Sequence, residues 1–143
     1  YAQRNPGNNY LYGDVWGFYD TYSPVSEKWM VTGLPAEGDV DEGTISIASV
    51  ISAIPFEPKA SIKCLRTLYK EFKNEGIYNA HGFVMSVNTN NRKLANKPDT
   101  FFQPINVLSI ENYRSGMLWK LAKKAPEYKE SFQKAGLKFT INN

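Results

Sequence analysis

The sequence is poor in the residues that build metal centres and disulfides. Its 143 residues include one cysteine, Cys64, and one histidine, His81. A single cysteine excludes an internal disulfide and a cysteine-based zinc site, and no cofactor is expected. A net charge of +3, with no block of lysine or arginine, argues against a nucleic-acid partner. No apolar run approaches the ~20 residues of a bilayer span, so no transmembrane segment is expected.

Regular periodicity is also scarce in the first forty residues, which are rich in Asn, Gly, Pro and aromatic residues. This composition indicates irregular loop, and a second long loop is predicted from Gly76 to about Pro104. Long loops inside a compact domain are often functional. The loop aromatics therefore either pin the loops to a core or contact a ligand. Because the chain opens at Tyr1 without a signal-peptide pattern, we expect a processed chain or a piece of a longer one.

Residues 39–56, "DVDEGTISIASVISAIPF", join a cluster of carboxylates to a long apolar run. From Thr44 to Ile54 the apolar residues cover every side of a helical wheel, which predicts a buried helix. Three serines at a spacing of three favour this helix over the rival interpretation, a strand. Asp41 or Thr44 can cap the helix, and Pro55 ends it.

Three further helices are predicted. An amphipathic surface helix begins at Pro58, with Cys64 as a small core residue beside its apolar stripe. A more buried helix runs from about Ile105 to Lys124, and Pro126 opens a short charged one. This alternation fits inner helices ringed by outer ones, so the expected fold is all-α: about two helical hairpins with long loops, forming part of a larger helical ring. A small free-standing helical domain is the alternative. Two hairpins cannot surround the first helix, so that helix should expose a large apolar face.

Five short blocks follow one another in an order known from one carbohydrate-active family: WGFYDTYSP, DEGTISIASVISAIPFEP, CLRTLYKEF, GIYNAHGF and SIENYRSGMLWKL. Through them the chain resembles, over residues 12–139, the glucoamylase-like domain of bacterial endo-β-1,2-glucanases and cyclic β-1,2-glucan synthases. The resemblance implies an (α/α)6 toroid, of which residues 1–143 form a single segment, the C-terminal third. It further implies a β-glucan ligand, with β-1,2-glucan favoured, and the remainder of the toroid or a partner chain as packing partner. A periplasmic, cell-surface or secreted bacterial protein is the expected setting.

The same resemblance places loops before inner helices at a sugar-binding cleft. Aromatic faces suit the C–H side of a sugar ring, while carboxylates and amides hydrogen-bond its hydroxyls. The predicted substrate-binding residues are Trp16, Tyr19, Asp41, Glu42, Thr44, His81, Glu111, Asn112 and Arg114. Structural roles compete with these: acids are favoured at helix N-termini by the helix dipole, Glu111 and Arg114 can pair with each other, and a lone histidine is more often structural than catalytic.

Departures from the family pattern bear on catalysis. Two aspartates of the family are replaced here by Met85 and Phe102, and a third by Glu42. Methionine and phenylalanine cannot relay a proton, and inverting hydrolysis needs an acid and a base on opposite sides of the bond. The catalytic residues therefore stay unassigned. Three functions remain: a segment of a β-glucan hydrolase, a non-catalytic glycan-binding relative, and a structural or assembly component without a ligand.

Overall fold

The computed structural model describes residues 11, 13–32, 41–97 and 100–136. Its helices are α1 (Ile47–Ser52), α2 (Pro58–Phe72), α3 (Phe102–Ser115), α4 (Met117–Lys124) and α5 (Pro126–Lys134), with one 3-10 turn at Lys73–Glu75. Its strands are β1 (Asp20–Tyr22), β2 (Trp29–Val31), β3 (Thr44–Ser46), β4 (Tyr78–Asn79), β5 (Gly82–Phe83), β6 (Ser86–Asn88) and β7 (Lys93–Ala95). None of these helices combines the length and apolarity needed to cross a bilayer.

The prediction of an all-α fold is wrong. The described residues contain three small antiparallel sheets: β1–β2, β3–β6–β7 and β4–β5. Six of the seven strands lie in the two regions that the composition assigned to loops. Strands of two or three residues are too short to show an alternating pattern, which needs about four residues or more to be recognised.

The apolar run after Asp41 divides into a strand and a helix. Thr44–Ser46 pairs with Ser86–Asn88, and the helix begins at Ile47, three residues later than predicted. Ser46 is the N-cap residue and forms no side-chain cap bond, so the predicted cap by Asp41 or Thr44 is wrong. The predicted burial is confirmed by the core residues of this run: Ile45, Ile47, Ala48, Val50, Ile51 and Ile54.

Helix α2 covers one side of this core. It starts at Pro58 as predicted and buries Cys64, Leu68 and Phe72 on a single face. The backbone at Gly17 crosses β3 and α1 closely, with φ of +146°. A β-carbon there would lie 2.6 Å from the carbonyl oxygen of Ser46. Only glycine permits this close crossing. A hydrogen bond of 2.8 Å from the Ser46 amide to the Gly17 carbonyl oxygen stabilises it.

The β6–β7 hairpin is tied to the end of α2 by one side chain. Arg92 lies in the hairpin turn with φ of +51°. Its guanidinium donates to Glu71 Oε1 at 2.8 Å and to Glu75, and lies 4.7 Å from the ring centre of Phe72. These contacts fix the hairpin against α2.

The predicted helix from Ile105 to Lys124 is two helices. The first begins at Phe102, and Gly116, with φ of +67°, separates α3 from α4. Its expected burial is wrong as well: α3 buries three residues, and α4 and α5 bury none. Five large apolar side chains of α3 and α4 are exposed instead, and we call this set the α3–α4 apolar face: Val107, Leu108, Ile110, Trp119 and Leu121. The Thr44–Ile54 run, which was predicted to expose an apolar face, is buried or half-buried. The start of the last helix at Pro126 is confirmed.

Candidate saccharide-binding site

Two hydroxyl groups hold the carboxylate of Glu42. Thr44 Oγ1 donates to Glu42 Oε1 at 2.7 Å, and Ser23 Oγ donates to the same oxygen. Neutral donors fix the orientation of a carboxylate without neutralising its charge. Both bonds end on Oε1, and no described residue donates to the second oxygen.

A buried asparagine supports this arrangement from the neighbouring strand. Asn88 Nδ2 donates to the Glu42 carbonyl at 2.7 Å and to Thr44 Oγ1 at 3.0 Å. Its Oδ1 accepts the amide of Asn91 at 3.0 Å, which fixes the amide plane. Asn88 therefore orients Thr44, and Thr44 orients Glu42. The sequence analysis missed this residue because a three-residue strand offers no pattern that singles it out.

Asp41 lies in the same loop and forms a local turn. Its Oδ1 accepts the amide of Gly43 at 3.0 Å, the bond of an Asx turn. Three of the predicted residues, Asp41, Glu42 and Thr44, are therefore together, although Thr44 is buried and acts on Glu42. Their role in sugar binding stays a prediction.

Four aromatic rings follow one another beside Glu42, and we call Tyr19, Tyr22, Trp29 and Phe102 the aromatic platform. Ring centres are 5.9 Å apart for Tyr19–Phe102, 6.4 Å for Phe102–Trp29 and 6.3 Å for Trp29–Tyr22. Tyr19 is 53% exposed and Trp29 57%. Since Ser23 directly follows Tyr22, the same hairpin carries the platform and holds Glu42. Sequence reasoning found Tyr19 but missed Trp29, which stands in no recognisable motif.

The floor beside the platform is apolar. Met85 and Phe102 are buried in one cluster with Ala48 and Ala95. A cavity of about 220 Å³ opens above this cluster, between Tyr19, Phe102 and α1. Its polar side chains are those of Tyr19, Ser49 and Ser52, with no carboxylate among the described lining residues. This part of the site can receive a ring face.

Trp16 lies away from the platform. It is half-buried and packs against the main core. Its amide donates to Cys64 Sγ at 3.4 Å, and the thiol donates to its carbonyl at 3.3 Å. Burial raises the pKa of the Cys64 thiol to about 11, so this thiol stays protonated at neutral pH.

The remaining predicted residues occupy two other places. His81 is exposed at the tip of the β4–β5 hairpin. Glu111, Asn112 and Arg114 lie near the end of α3, about 14–18 Å along the helix from Phe102. There Arg114 pairs with Glu111 at 3.5 Å, which confirms the predicted pairing, and Asn112 Oδ1 accepts the amide of Trp119 at 3.3 Å. Glu42 and these residues do not form one cluster.

Comparison with known proteins decides the family. The sequence model of the family described as "Putative glucoamylase" matches residues 1–126. The chain is a member of the glucoamylase-like family. Among its relatives is the exo-β-1,2-glucooligosaccharide sophorohydrolase (non-reducing end) of Parabacteroides distasonis. It is 29% identical, and the match covers 94% of the glucoamylase-like chain and 18% of the relative.

Solved structures agree with this assignment. A Bacteroides fragilis protein of the same description has 29% identity and a TM-score of 0.77, over 98% of this chain and 32% of its own. The endo-β-1,2-glucanase of Chitinophaga pinensis, in complex with sophorotriose and glucose, has 27% identity and a TM-score of 0.76, over 92% of this chain and 30% of its own. The glucoamylase-like chain thus spans less than a third of the length of the relatives it matches.

Proposed function

We propose that the protein containing this chain binds and hydrolyses a β-glucan, with β-1,2-glucan favoured, and that this chain supplies saccharide contacts. The observation that carries the proposal is the oriented carboxylate of Glu42 near an aromatic platform of which Tyr19 and Trp29 are exposed. A carboxylate oxygen accepts hydrogen bonds from sugar hydroxyls, and aromatic rings receive the C–H face of the sugar ring. The names of the P. distasonis and C. pinensis relatives support the choice of linkage.

Hydrolysis requires a second carboxylate across the scissile bond. In inverting glycosidases the two carboxyl groups stand about 6.5–9.5 Å apart so that a water fits between them. Asp41 and Glu42 are adjacent in one loop and do not face each other across a cleft. We therefore place the partner acid in the rest of the longer protein, with Glu42 as a binding group or one member of the pair.

A second candidate function is glycan binding without hydrolysis. The apolar cluster around Met85 and Phe102 favours it, since packed side chains fill two positions at which the family resemblance implies aspartates. In this case the platform and Glu42 bind the glucan, and no glycosidic bond is cleaved.

One set of measurements on the complete protein separates these functions. Titration calorimetry with linear β-1,2-glucan is run with β-1,3- and β-1,4-glucans in parallel, and the release of reducing ends is assayed in the same samples. Binding with release supports hydrolysis, and binding without release supports the second function. Glu42→Gln should weaken binding about tenfold or more, because a hydrogen bond to a charged group contributes ~1.5–3 kcal/mol. Glu57→Gln, at an exposed carboxylate on the start of α2, is the matched control. No binding of any glucan, or equal affinity of Glu42→Gln and wild type, contradicts the proposal.

We also propose that the α3–α4 apolar face packs against the rest of the longer protein. Five large apolar side chains of these two consecutive helices are exposed, which favours a packing partner. The proposed location is periplasmic, cell-surface or secreted, and fractionation of the source cells tests it.

A further inference from the structure

A groove beside the β4–β5 hairpin has the size of a small-molecule site. It lies between this hairpin, the segment after β7 and the first turn of α3, with a volume of about 640 Å³. Ligand sites in proteins typically measure ~300–1,000 Å³. Its polar lining comes from Asn79, His81, Asn96, Lys97 and Gln103, and Phe83 forms an apolar wall. We call it the hairpin groove.

Hydrogen bonds within the lining fix two of its amides in place. Asn79 Nδ2 donates to Asn96 Oδ1 at 3.0 Å, and Gln103 Nε2 donates to the carbonyl of Phe83 at 2.7 Å. These bonds occupy one side of each amide. Among the described residues no bond is made by the Asn96 nitrogen, a donor, or by the Gln103 oxygen, an acceptor. Sugar hydroxyls, which both donate and accept, can bond either group.

A glycine makes room for the second amide. Gly82 has φ of +100°, and a β-carbon at this position would lie 3.2 Å from Gln103 Oε1. The glycine thus lets Gln103 lie directly against β5, with its amide oriented by the Phe83 carbonyl.

Lys97 connects the hairpin groove to the aromatic platform. Its ammonium lies 3.7 Å from the ring centre of Tyr22, the last ring of the platform. On the other side of Lys97 a second depression of about 320 Å³ is lined by Tyr22, Glu27 and Asn96. Asn96 and Lys97 line both depressions, so the hairpin groove adjoins, through Lys97, the depression that reaches Tyr22 of the platform.

We infer that the hairpin groove is an additional saccharide subsite that binds a glucan chain beyond the platform. The inference rests on the proposed function, because it takes the ligand to be the same neutral polysaccharide. Amide groups, one aromatic wall and few charges match the hydroxyls and C–H faces of neutral sugars. Because this subsite lies beyond the platform, only long glucan chains reach it.

The test compares chain lengths in the complete protein. Affinities for long linear β-1,2-glucan and for its disaccharide are measured by calorimetry for wild type, Asn96→Ala, Lys97→Met and Gln103→Ala. Each groove variant should weaken binding of the long glucan about three- to tenfold. Asn96→Ala and Gln103→Ala should leave the disaccharide affinity unchanged, whereas Lys97→Met, whose ammonium also contacts Tyr22 of the platform, should weaken the long glucan more than the disaccharide. Lys97→Met alters an exposed side chain, so it keeps the test valid even where a substitution of Gln103 disturbs folding. Asn74→Ala and Lys70→Met, exposed on the far end of α2 and its 3-10 turn, are matched controls.

The outcomes separate this inference from the proposed function. Unchanged affinity for the long glucan in Lys97→Met and Asn96→Ala overturns the subsite while the proposed function stands. Equal loss for long and short ligands also overturns it, because the groove would then belong to the minimal site. A wild-type protein that binds neither ligand overturns both proposals.

Discussion

Thr44→Val tests whether the orientation of Glu42 determines ligand binding. Valine keeps the branched shape of threonine and suits a strand, but it removes the hydroxyl that donates to Glu42 Oε1 at 2.7 Å and accepts from Asn88 at 3.0 Å. Asn88 keeps its bond to the Glu42 carbonyl, and Glu42 keeps its bond from Ser23. The variant therefore loosens the carboxylate without removing it.

The structure sets the expected magnitude of this change. A hydrogen bond to a charged group contributes ~1.5–3 kcal/mol and a neutral one ~0.5–1.5 kcal/mol. The gain from burying a methyl group offsets about 1 kcal/mol of this loss. We expect the free energy of unfolding to fall by about 1–3 kcal/mol. Glucan affinity should fall about three- to tenfold, less than for Glu42→Gln.

A double-mutant cycle with Glu42→Gln gives the decisive measurement. If Thr44 acts through Glu42, the effects of the two substitutions on binding are not additive, with a coupling of about 0.5 kcal/mol or more. Thr67→Val, on the surface of α2, is the control for a threonine without this contact. Additive losses, or a Thr44→Val protein that binds the glucan as wild type does, would refute a positioning role for Thr44.

Three further predictions concern the core residues Cys64 and Gly17 and the different roles of Trp16 and Trp29. An unfolded cysteine ionises near its ordinary pKa of about 9 while folded Cys64 keeps its proton to about 11. The free energy of unfolding should therefore fall as pH rises through this window, by up to about 1.4 kcal/mol per pH unit, and urea titrations of Cys64→Ala should lack this component. Gly17→Ala should lower the free energy of unfolding by about 2 kcal/mol or more, since its β-carbon would overlap the Ser46 carbonyl, and an unchanged melting temperature would contradict the close crossing. Trp29→Ala should weaken glucan binding with little change in melting temperature, whereas Trp16→Ala should lower the melting temperature first; the reverse result would exchange their roles.

Burial in the first apolar run was predictable, but its conformation was not. Apolar residues on all sides are typical of a buried helix and also of a buried central strand. The run contains one of each. The serine spacing misled the prediction only in part. Ser49 and Ser52 do lie in α1, where their hydroxyls donate to the carbonyls of Ser46 and Ser49 at 3.0 and 3.1 Å. Ser46 itself belongs to the strand, because pairing with Ser86 overrides the local pattern.

The candidate site was predictable where it depends on one loop and unpredictable where it depends on pairing. Asp41, Glu42 and Thr44 are close in sequence, so their proximity follows from local structure alone. Ser23 and Asn88 reach Glu42 only because the β1–β2 hairpin and strand β6 are brought to it by tertiary structure. The break at Gly116 could have been predicted, because glycine is a common end signal of a helix. The apolar pattern continues across Gly116, and the prediction therefore treated both helices as one.

The turn at Gly116 divides the chain into parts of unequal local stability. α4 makes its main contacts with α3 and α5, and neither α4 nor α5 buries a side chain in the described structure. Amide hydrogens of α2, whose face lies in the core, should exchange only when the whole fold opens, whereas those of α4 and α5 exchange through local opening of low free energy. In the complete protein, exchange protection of α4 and α5 therefore reports how firmly the α3–α4 apolar face is covered. A substitution that weakens this packing changes the exchange rates of these two helices and leaves those of α2 unaltered.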